Sequence, residues 1–311
     1  MVLRNLITGG LNIHISRAPY VVRLYGETPF IGFCGGSLIG ERTVLTAAHC
    51  ISSLNQTIYV GTYQNDILAN MSGNSDIVRV KSIYIHPQYD ADDITRGHDV
   101  AVLTLQHTPK RFGLVDGPSY IPLANASFWY RLSSQQPLDT AYVLGYGAET
   151  YDGPQSLYLQ IAHVHLYSHD ECAESLNFNL AQSNLCAGLP DSDSCSGDSG
   201  GPLIVAYNGS FIQVGIVSWG IVSENYDCGD LPGIYSLTSS AYDVLAPFGA
   251  HYMDYTPTTY EDPCMCADDC MSNGFTVAPR CGCADHVGDG NLFCYVRHDD
   301  CVNASHSIVF M

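Results

Sequence analysis

Asp193-Ser194-Cys195-Ser196-Gly197-Asp198-Ser199-Gly200-Gly201-Pro202 is the stretch from which the rest of this chain can be read. A serine flanked by glycines, with an aspartate before it and a cysteine close by, suits a nucleophilic hydroxyl on a tight, disulfide-anchored loop. Gly197 lets the backbone approach a substrate carbonyl closely. The amides of Gly197 and Ser199 can then face the oxygen that turns negative during acyl transfer. The competing reading is a Gly/Ser/Asp turn without chemistry, since such clusters punctuate many loops. Ten consecutive positions with assignable mechanical roles favour the first reading.

Working outward, two segments supply what such a serine lacks. Ala47-Ala48-His49-Cys50 follows an apolar run, Thr43-Val44-Leu45-Thr46, and His98-Asp99-Val100-Ala101-Val102-Leu103 opens another strand with an aspartate at its mouth. A serine hydroxyl needs a base at neutral pH, and imidazole is the usual one. The imidazole in turn needs a buried carboxylate to fix its tautomer and stabilise its charged form. The order His49, Asp99, Ser199, with these flanks, resembles the trypsin/chymotrypsin family of serine peptidases from Ile7 to about Ala250.

The resemblance implies an all-β fold of two six-stranded antiparallel β-barrels with the active site in the cleft between them. His49 and Asp99 would come from the first barrel and Ser199 from the second, with Gly197 and Ser199 forming the oxyanion hole. Short β-branched runs separated by Gly, Asn, Asp and Pro agree with such strands: Ile58–Val60, Ile77–Val80, Val100–Leu105, Tyr142–Leu144, Leu203–Val205 and Val214–Val217. A short helix is expected from Ser239-Ser240, ending before Pro247. The resemblance also implies three disulfides, Cys34–Cys50, Cys172–Cys186 and Cys195–Cys228. A fourth family bridge would join the positions held by Ala141 and Val205, where both cysteines are missing together.

By the same resemblance Asp193 forms the floor of the primary specificity pocket. An otherwise unpaired carboxylate there favours a cationic guest, since leaving it alone costs several kcal/mol. Ser194 adds a hydrogen-bonding group, Ser218 and Trp219 lead to the wall, and Gly220 and Gly233 are wall positions that admit an Arg or Lys stem. Ile221–Asp227 is longer than the matching stretch of pancreatic trypsins, so the rim is rebuilt. Ile7-Thr8-Gly9-Gly10 resembles the family's mature N-terminus, whose freed amine pairs with the aspartate before the serine, here Asp198. Met1–Leu6 would then be a propeptide remnant, removed by a cut after Leu6 and not after a basic residue.

Composition bounds the remainder. The formal charge of −19, from 31 acidic and 12 basic residues, argues against binding to nucleic acid or an anionic membrane, which would need a basic face. Thirteen cysteines suit an oxidising compartment, and five Asn-x-Ser/Thr sequons, at Asn55, Asn70, Asn125, Asn208 and Asn303, lean toward a secreted glycoprotein. No apolar run approaches the ~18 residues of a membrane span. Met1–Leu6 is too short for a signal peptide, and a longer leader is expected upstream.

The expected domains are a peptidase domain over 7–254, a linker over 255–263 and a cysteine-rich tail over 264–311. Seven cysteines in that tail imply staples in place of a core, and the odd one is either free or joined to another chain. An extracellular ligand or second chain is the partner expected of the tail. Protein or peptide substrates are the partners of the main domain. No cofactor and no metal are expected: the loop Thr62–Asp76 lacks the first glutamate of the family's calcium loop, and Asp90, Asp92 and Asp93 read as a solvated acidic loop. The function implied is a secreted endopeptidase cleaving after Arg or Lys through an acyl-enzyme on Ser199. The alternative is a catalytically silent homologue serving as a binding or adhesion scaffold.

Overall fold

The structure is a computed structural model that describes residues 7–253, apart from 28–31, 53, 55, 62–76, 111–118, 134–137, 149 and 224–225, together with 271–272 and 275–276. The expectations for Met1–Leu6, the loop Thr62–Asp76, the linker and nearly all of the tail therefore lie outside the described residues. The chain divides into two compact units, residues 1–254 and 255–311.

Strand β1 (Leu11–Asn12) precedes β2 (Val21–Tyr25), β3 (Gly32–Gly40), β4 (Thr43–Thr46), β5 (Tyr59–Gly61), β6 (Ile77–Ile85) and β7 (Ala101–Leu105). The last six close into an antiparallel barrel in the order β2-β3-β4-β7-β6-β5, with β2 pairing β5. Buried Leu24, Leu38, Leu45, Val60 and Leu103 come from five of its strands. Their β-branched and leucine side chains suit a pleated surface that must be filled on its inner side.

After β8 (Leu123–Ala124) come β9 (Leu138–Gly145), β10 (Gln160–Tyr167), β11 (Asn184–Gly188), β12 (Pro202–Tyr207), β13 (Ser210–Trp219), β14 (Gly233–Leu237) and β15 (Tyr252–Met253). The order β12-β9-β10-β11-β14-β13 closes through the β12–β13 pairing into a second six-stranded barrel, while β1, β8 and β15 attach at its margins. In β10 the residues Gln160, Ala162, Val164 and Leu166 are buried and alternate with more exposed Ile161, His163, His165 and Tyr167, the period of two that one inner face dictates. The β12–β13 hairpin turns on Asn208 and Gly209, both at positive φ, as a two-residue hairpin turn of the favoured hand requires. Ala141 and Val205, at the positions of the missing bridge, are buried cross-strand partners, so apolar packing stands where two sulfurs would.

Three disulfides join Cys34–Cys50, Cys172–Cys186 and Cys195–Cys228. Cys172 is carried by a helix, His169–Leu176, that starts on a capping box: Glu171 N donates to Ser168 Oγ and Ser168 N to Glu171 Oε2. The C-terminal helical run begins where expected, beside Ser239-Ser240, and departs from expectation at its end. It starts as a 3-10 turn at Thr238, continues as helix Tyr242–Leu245 and carries Pro247 within a further 3-10 turn, Ala246–Phe248. Proline lacks only an N–H, and the opening of a new turn has no partner for that group.

Among the described residues no helix is long and apolar enough to cross a membrane. In the second unit Met271–Ser272 and Phe275–Thr276 pair as two short antiparallel strands.

Candidate active site

Asp99 stands at the mouth of β7 and is wholly buried. Its carboxylate accepts three hydrogen bonds. His49 N donates to Oδ1 at 2.8 Å, Ser218 Oγ donates to Oδ2 at 2.5 Å, and His49 Nδ1 lies 2.7 Å from Oδ2. An ionised carboxylate can only accept, so the hydrogen sits on Nδ1 and Nε2 is the basic nitrogen. The imidazole is about a quarter exposed, which leaves it open to the cleft.

The loop of Ser199 is pinned on both sides. Gly35 N donates to Ser199 O at 2.8 Å, and Gly200 N donates to Val217 O at 2.8 Å. The first bond ties the loop to β3, whose Cys34 is joined to Cys50 beside His49. Gly200, at φ +81°, packs so closely on Thr46 and Gly35 that a Cβ there would lie 2.6 Å from Gly35 O and 3.2 Å from Ala47 N. The serine loop thus abuts the segment that leads into His49.

Asp193, Ser194, Ser199, Ser218, Trp219, Gly220 and Gly233 line one cavity of about 150 Å³. Asp193 is almost fully buried. Oδ2 accepts from Gly233 N at 2.8 Å, and Oδ1 from Tyr235 OH at 2.8 Å and Ser194 N at 2.6 Å. Burial pushes the Asp193 carboxyl up to about 7 against the pull of these donors. Among the described residues no cation pairs with it. The two wall glycines differ in setting. A Cβ on Gly220 would meet nothing within 4 Å, whereas one on Gly233 would press on the Asp193 carboxylate at 2.9 Å.

Asp198 is wholly buried and accepts from Gly147 N at 2.7 Å and Cys195 N at 2.9 Å. Burial raises its carboxyl to about 7. Ile7 is equally buried, and the next residue, Thr8, forms a bridge to Asp193 in which Asp193 N donates to Thr8 O at 3.3 Å. The segment expected to become the N-terminus is therefore seated on the run that leads to Ser199. In the intact chain the Ile7 nitrogen is a neutral amide, and among the described residues no ion pair reaches Asp198.

Tyr235, Gln155 and Arg23 are not among the expected site residues, although Tyr235 holds Asp193, Gln155 backs Gly197 and Arg23 holds Gln155. Tyr235 had a readable signal, since it lies two residues beyond Gly233 and so shares its face of β14. The acidic loop at Asp90 is occupied locally: Arg96 Nη1 lies 2.7 Å from Asp90 Oδ2, and Asp93 accepts from Thr95 N. Sulfur, imidazole and carboxylate also converge at Cys34, His49 and Cys50 and at Cys195, Asp227 and Cys228. The sulfurs of both groups are locked in disulfides, so they are not thiolate ligands.

The trypsin family model matches residues 7–245. A trypsin of Saccharopolyspora erythraea is 34% identical over 245 residues, covering 77% of this chain and 96% of its own length. Trypsin 5G1 of Aedes aegypti is 32% identical over 248 residues, 76% of this chain and 82% of its own. Coagulation factor IX of Oryctolagus cuniculus is 33% identical over 217 residues, 69% of this chain and 75% of its own.

Proposed function

Because the chain belongs to the trypsin family of serine endopeptidases, we propose that it cleaves peptide bonds after Arg or Lys through an acyl-enzyme on Ser199. The observation that carries the specificity is Asp193, a buried carboxylate on a narrow cavity, hydrogen-bonded yet without a cation among the described residues. A guanidinium or ammonium supplies the missing charge, while an apolar guest leaves the carboxylate to bind a proton.

In this reading His49 Nε2 takes the proton as Ser199 Oγ bonds to the substrate carbonyl carbon. The carbonyl oxygen becomes negative against the N–H groups of Gly197 and Ser199. Collapse breaks the C–N bond, and the imidazolium gives its proton to the leaving amine. Water then attacks the ester carbonyl, gives a proton to His49, and releases the acid product with Ser199 restored. Asp99 holds the imidazole throughout. Ser194 and Ser218 line the pocket, with Trp219, Gly220 and Gly233 along its wall.

Residues 7–254 act as the peptidase domain and 1–6 as the remnant whose removal frees the Ile7 amine for Asp198. Residues 255–263 link this domain to a disulfide-bonded tail, 264–311, which would take an extracellular ligand or second chain and whose odd cysteine is free or joined to another chain. Secretion agrees with the three disulfides and with sequons at Asn125 and Asn208.

The test is to profile the chain beginning at Ile7 against a peptide library, beside its Asp193→Ser variant. Cleavage after Arg and Lys should dominate and fall by two or more decades in the variant, for a charge contact worth about 2–5 kcal/mol. Equal wild-type rates after Arg and Leu would refute the assignment.

A further inference from the structure

The Ser196–Gly197 peptide is held by a group of contacts that reaches into the other barrel. Ala148 N donates to Ser196 O at 2.8 Å, and Ser196 Oγ donates to Tyr151 O at 2.6 Å. In a trans peptide the N–H points opposite to the C=O. Fixing the Ser196 carbonyl on Ala148 therefore aims the Gly197 N–H away from it. Gly197 sits at φ +97°, a conformation that glycine can leave as readily as it enters. Its α-carbon is backed by the Gln155 carboxamide, so closely that a Cβ there would lie 2.8 Å from Gln155 Cδ.

Gln155 is itself held from β2. Arg23 Nη2 donates to Gln155 Oε1 at 2.5 Å, and Arg23 Nη1 donates to Ser156 O at 3.3 Å. The guanidinium lies 5.3 Å from the centroid of the Tyr146 ring and 5.9 Å from that of Tyr25. Gly32 leaves room for the arginine stem, since a Cβ there would come within 2.8 Å of Arg23 Cδ. Two hydrogen bonds and two rings fix this side chain, and one of the residues it grips, Gln155, backs Gly197.

We propose that Arg23, acting through Gln155, is a positioning residue of the oxyanion hole, locking the Ser196–Gly197 peptide with its N–H toward the substrate oxygen. The proposal rests on the reading of Gly197 as an oxyanion donor. Neither side chain touches the reacting atoms. Without the lock the Gly197 end of the peptide loses its backing, only the Ala148 and Tyr151 hydrogen bonds still hold the Ser196 end, and the donor is misaligned in a fraction of molecules.

The test uses the chain beginning at Ile7, with Gln155→Ala, Arg23→Met and the double variant. The substrate is a peptidyl-Arg anilide with no residue beyond the scissile bond. A Ser199→Ala control separates the two readings: if it retains activity, the acyl-enzyme reading fails, and the lock is judged only on a chain whose wild type depends on Ser199. Each single variant should lose about tenfold in kcat with little change in KM, part of the cost of removing an oxyanion donor outright. Affinity for a peptide aldehyde, which forms the tetrahedral adduct, should fall by the same factor, while that for the product peptide stays unchanged. The double variant should cost no more than the worse single one, because both act on one peptide. Arg23→Lys should restore only part of the rate, since an ammonium cannot grip Gln155 and Ser156 with a planar fork. Loss confined to substrates that extend past the scissile bond would make Gln155 a leaving-side subsite and overturn the proposal. Unchanged kcat with lowered thermal stability would overturn it too. If Arg23→Met fails to fold, Gln155→Ala, at a half-buried position, decides alone.

Discussion

Ser218 Oγ donates to Asp99 Oδ2 at 2.5 Å, so the carboxylate that orients His49 in the first barrel is bound to a residue of the pocket wall in the second. One oxygen serves two donors from different barrels. On the proposed reading this bond couples the triad directly to the specificity pocket.

Ser218→Ala should therefore reduce kcat by about tenfold, since a hydrogen bond to a charged group is worth roughly 1.5–3 kcal/mol. Two donors from His49 remain on the carboxylate, so the loss should fall well short of that in Asp99→Asn. Steady-state kinetics on both variants would show it, and equal losses would contradict it.

Asp193 should make the binding of cations dependent on pH. Its carboxyl lies at about 7 in the empty pocket because burial outweighs its donors. A cationic guest favours the ionised form, so below that value binding must expel a proton. Affinity for benzamidine should fall by about tenfold per pH unit as pH drops below about 7. Calorimetry in buffers of different ionisation enthalpy would register the released proton. Affinity that stays flat from pH 8 to 5 would contradict this account.

Gly200→Ala should destabilise the fold and abolish activity together. The residue is at φ +81°, and the new methyl would meet backbone at Gly35 as well as the Thr46 side chain. Left-handed strain alone costs about 1–3 kcal/mol, and overpacking adds a similar amount. Urea denaturation of the purified variant measures the first effect and anilide hydrolysis the second.

These positions also show what a sequence discloses and what it withholds. The strands around Val44, Leu103 and Val143 follow from short apolar, β-branched runs between turn residues, and the Gly/Asp/Ser run around Ser199 carries its chemistry in adjacent positions. Ser218–Asp99 and Arg23–Gln155 join residues 119 and 132 apart. No periodicity encodes such a meeting, because it depends on how two closed barrels dock. Tyr235 on Asp193 differs, since its place two residues beyond Gly233 on β14 is legible in the strand's period. Pro247 departed from expectation for a local reason, since a prolyl ring tolerated at the opening of a 3-10 turn reads in sequence as a stop.

Activation should shift one loss of stability to higher pH. In the intact chain no ion pair reaches Asp198 among the described residues, and burial raises its carboxyl to about 7 against the weaker pull of the Arg23 charge. Its contribution to stability is full below about 3.8 and is lost as pH rises through about 7. A cut before Ile7 supplies an amine whose pKa should rise above its free value near 8. The pair's stabilisation is present below that free value and fades as pH climbs through the raised one. The cut chain should accordingly be active at neutral pH, fall reversibly at alkaline pH and resemble the intact chain when Asp198 becomes Asn. Hydrolysis of a small Arg ester by all three forms checks this, and equal rates before and after the cut would refute it.

The most direct measurement is covalent labelling of the chain beginning at Ile7 with a fluorophosphonate, followed by peptide mass mapping. One adduct per molecule is expected, on Ser199, formed at a rate that drops by orders of magnitude in His49→Ala. No adduct, or an adduct on another residue with Ser199 unmodified, would contradict it.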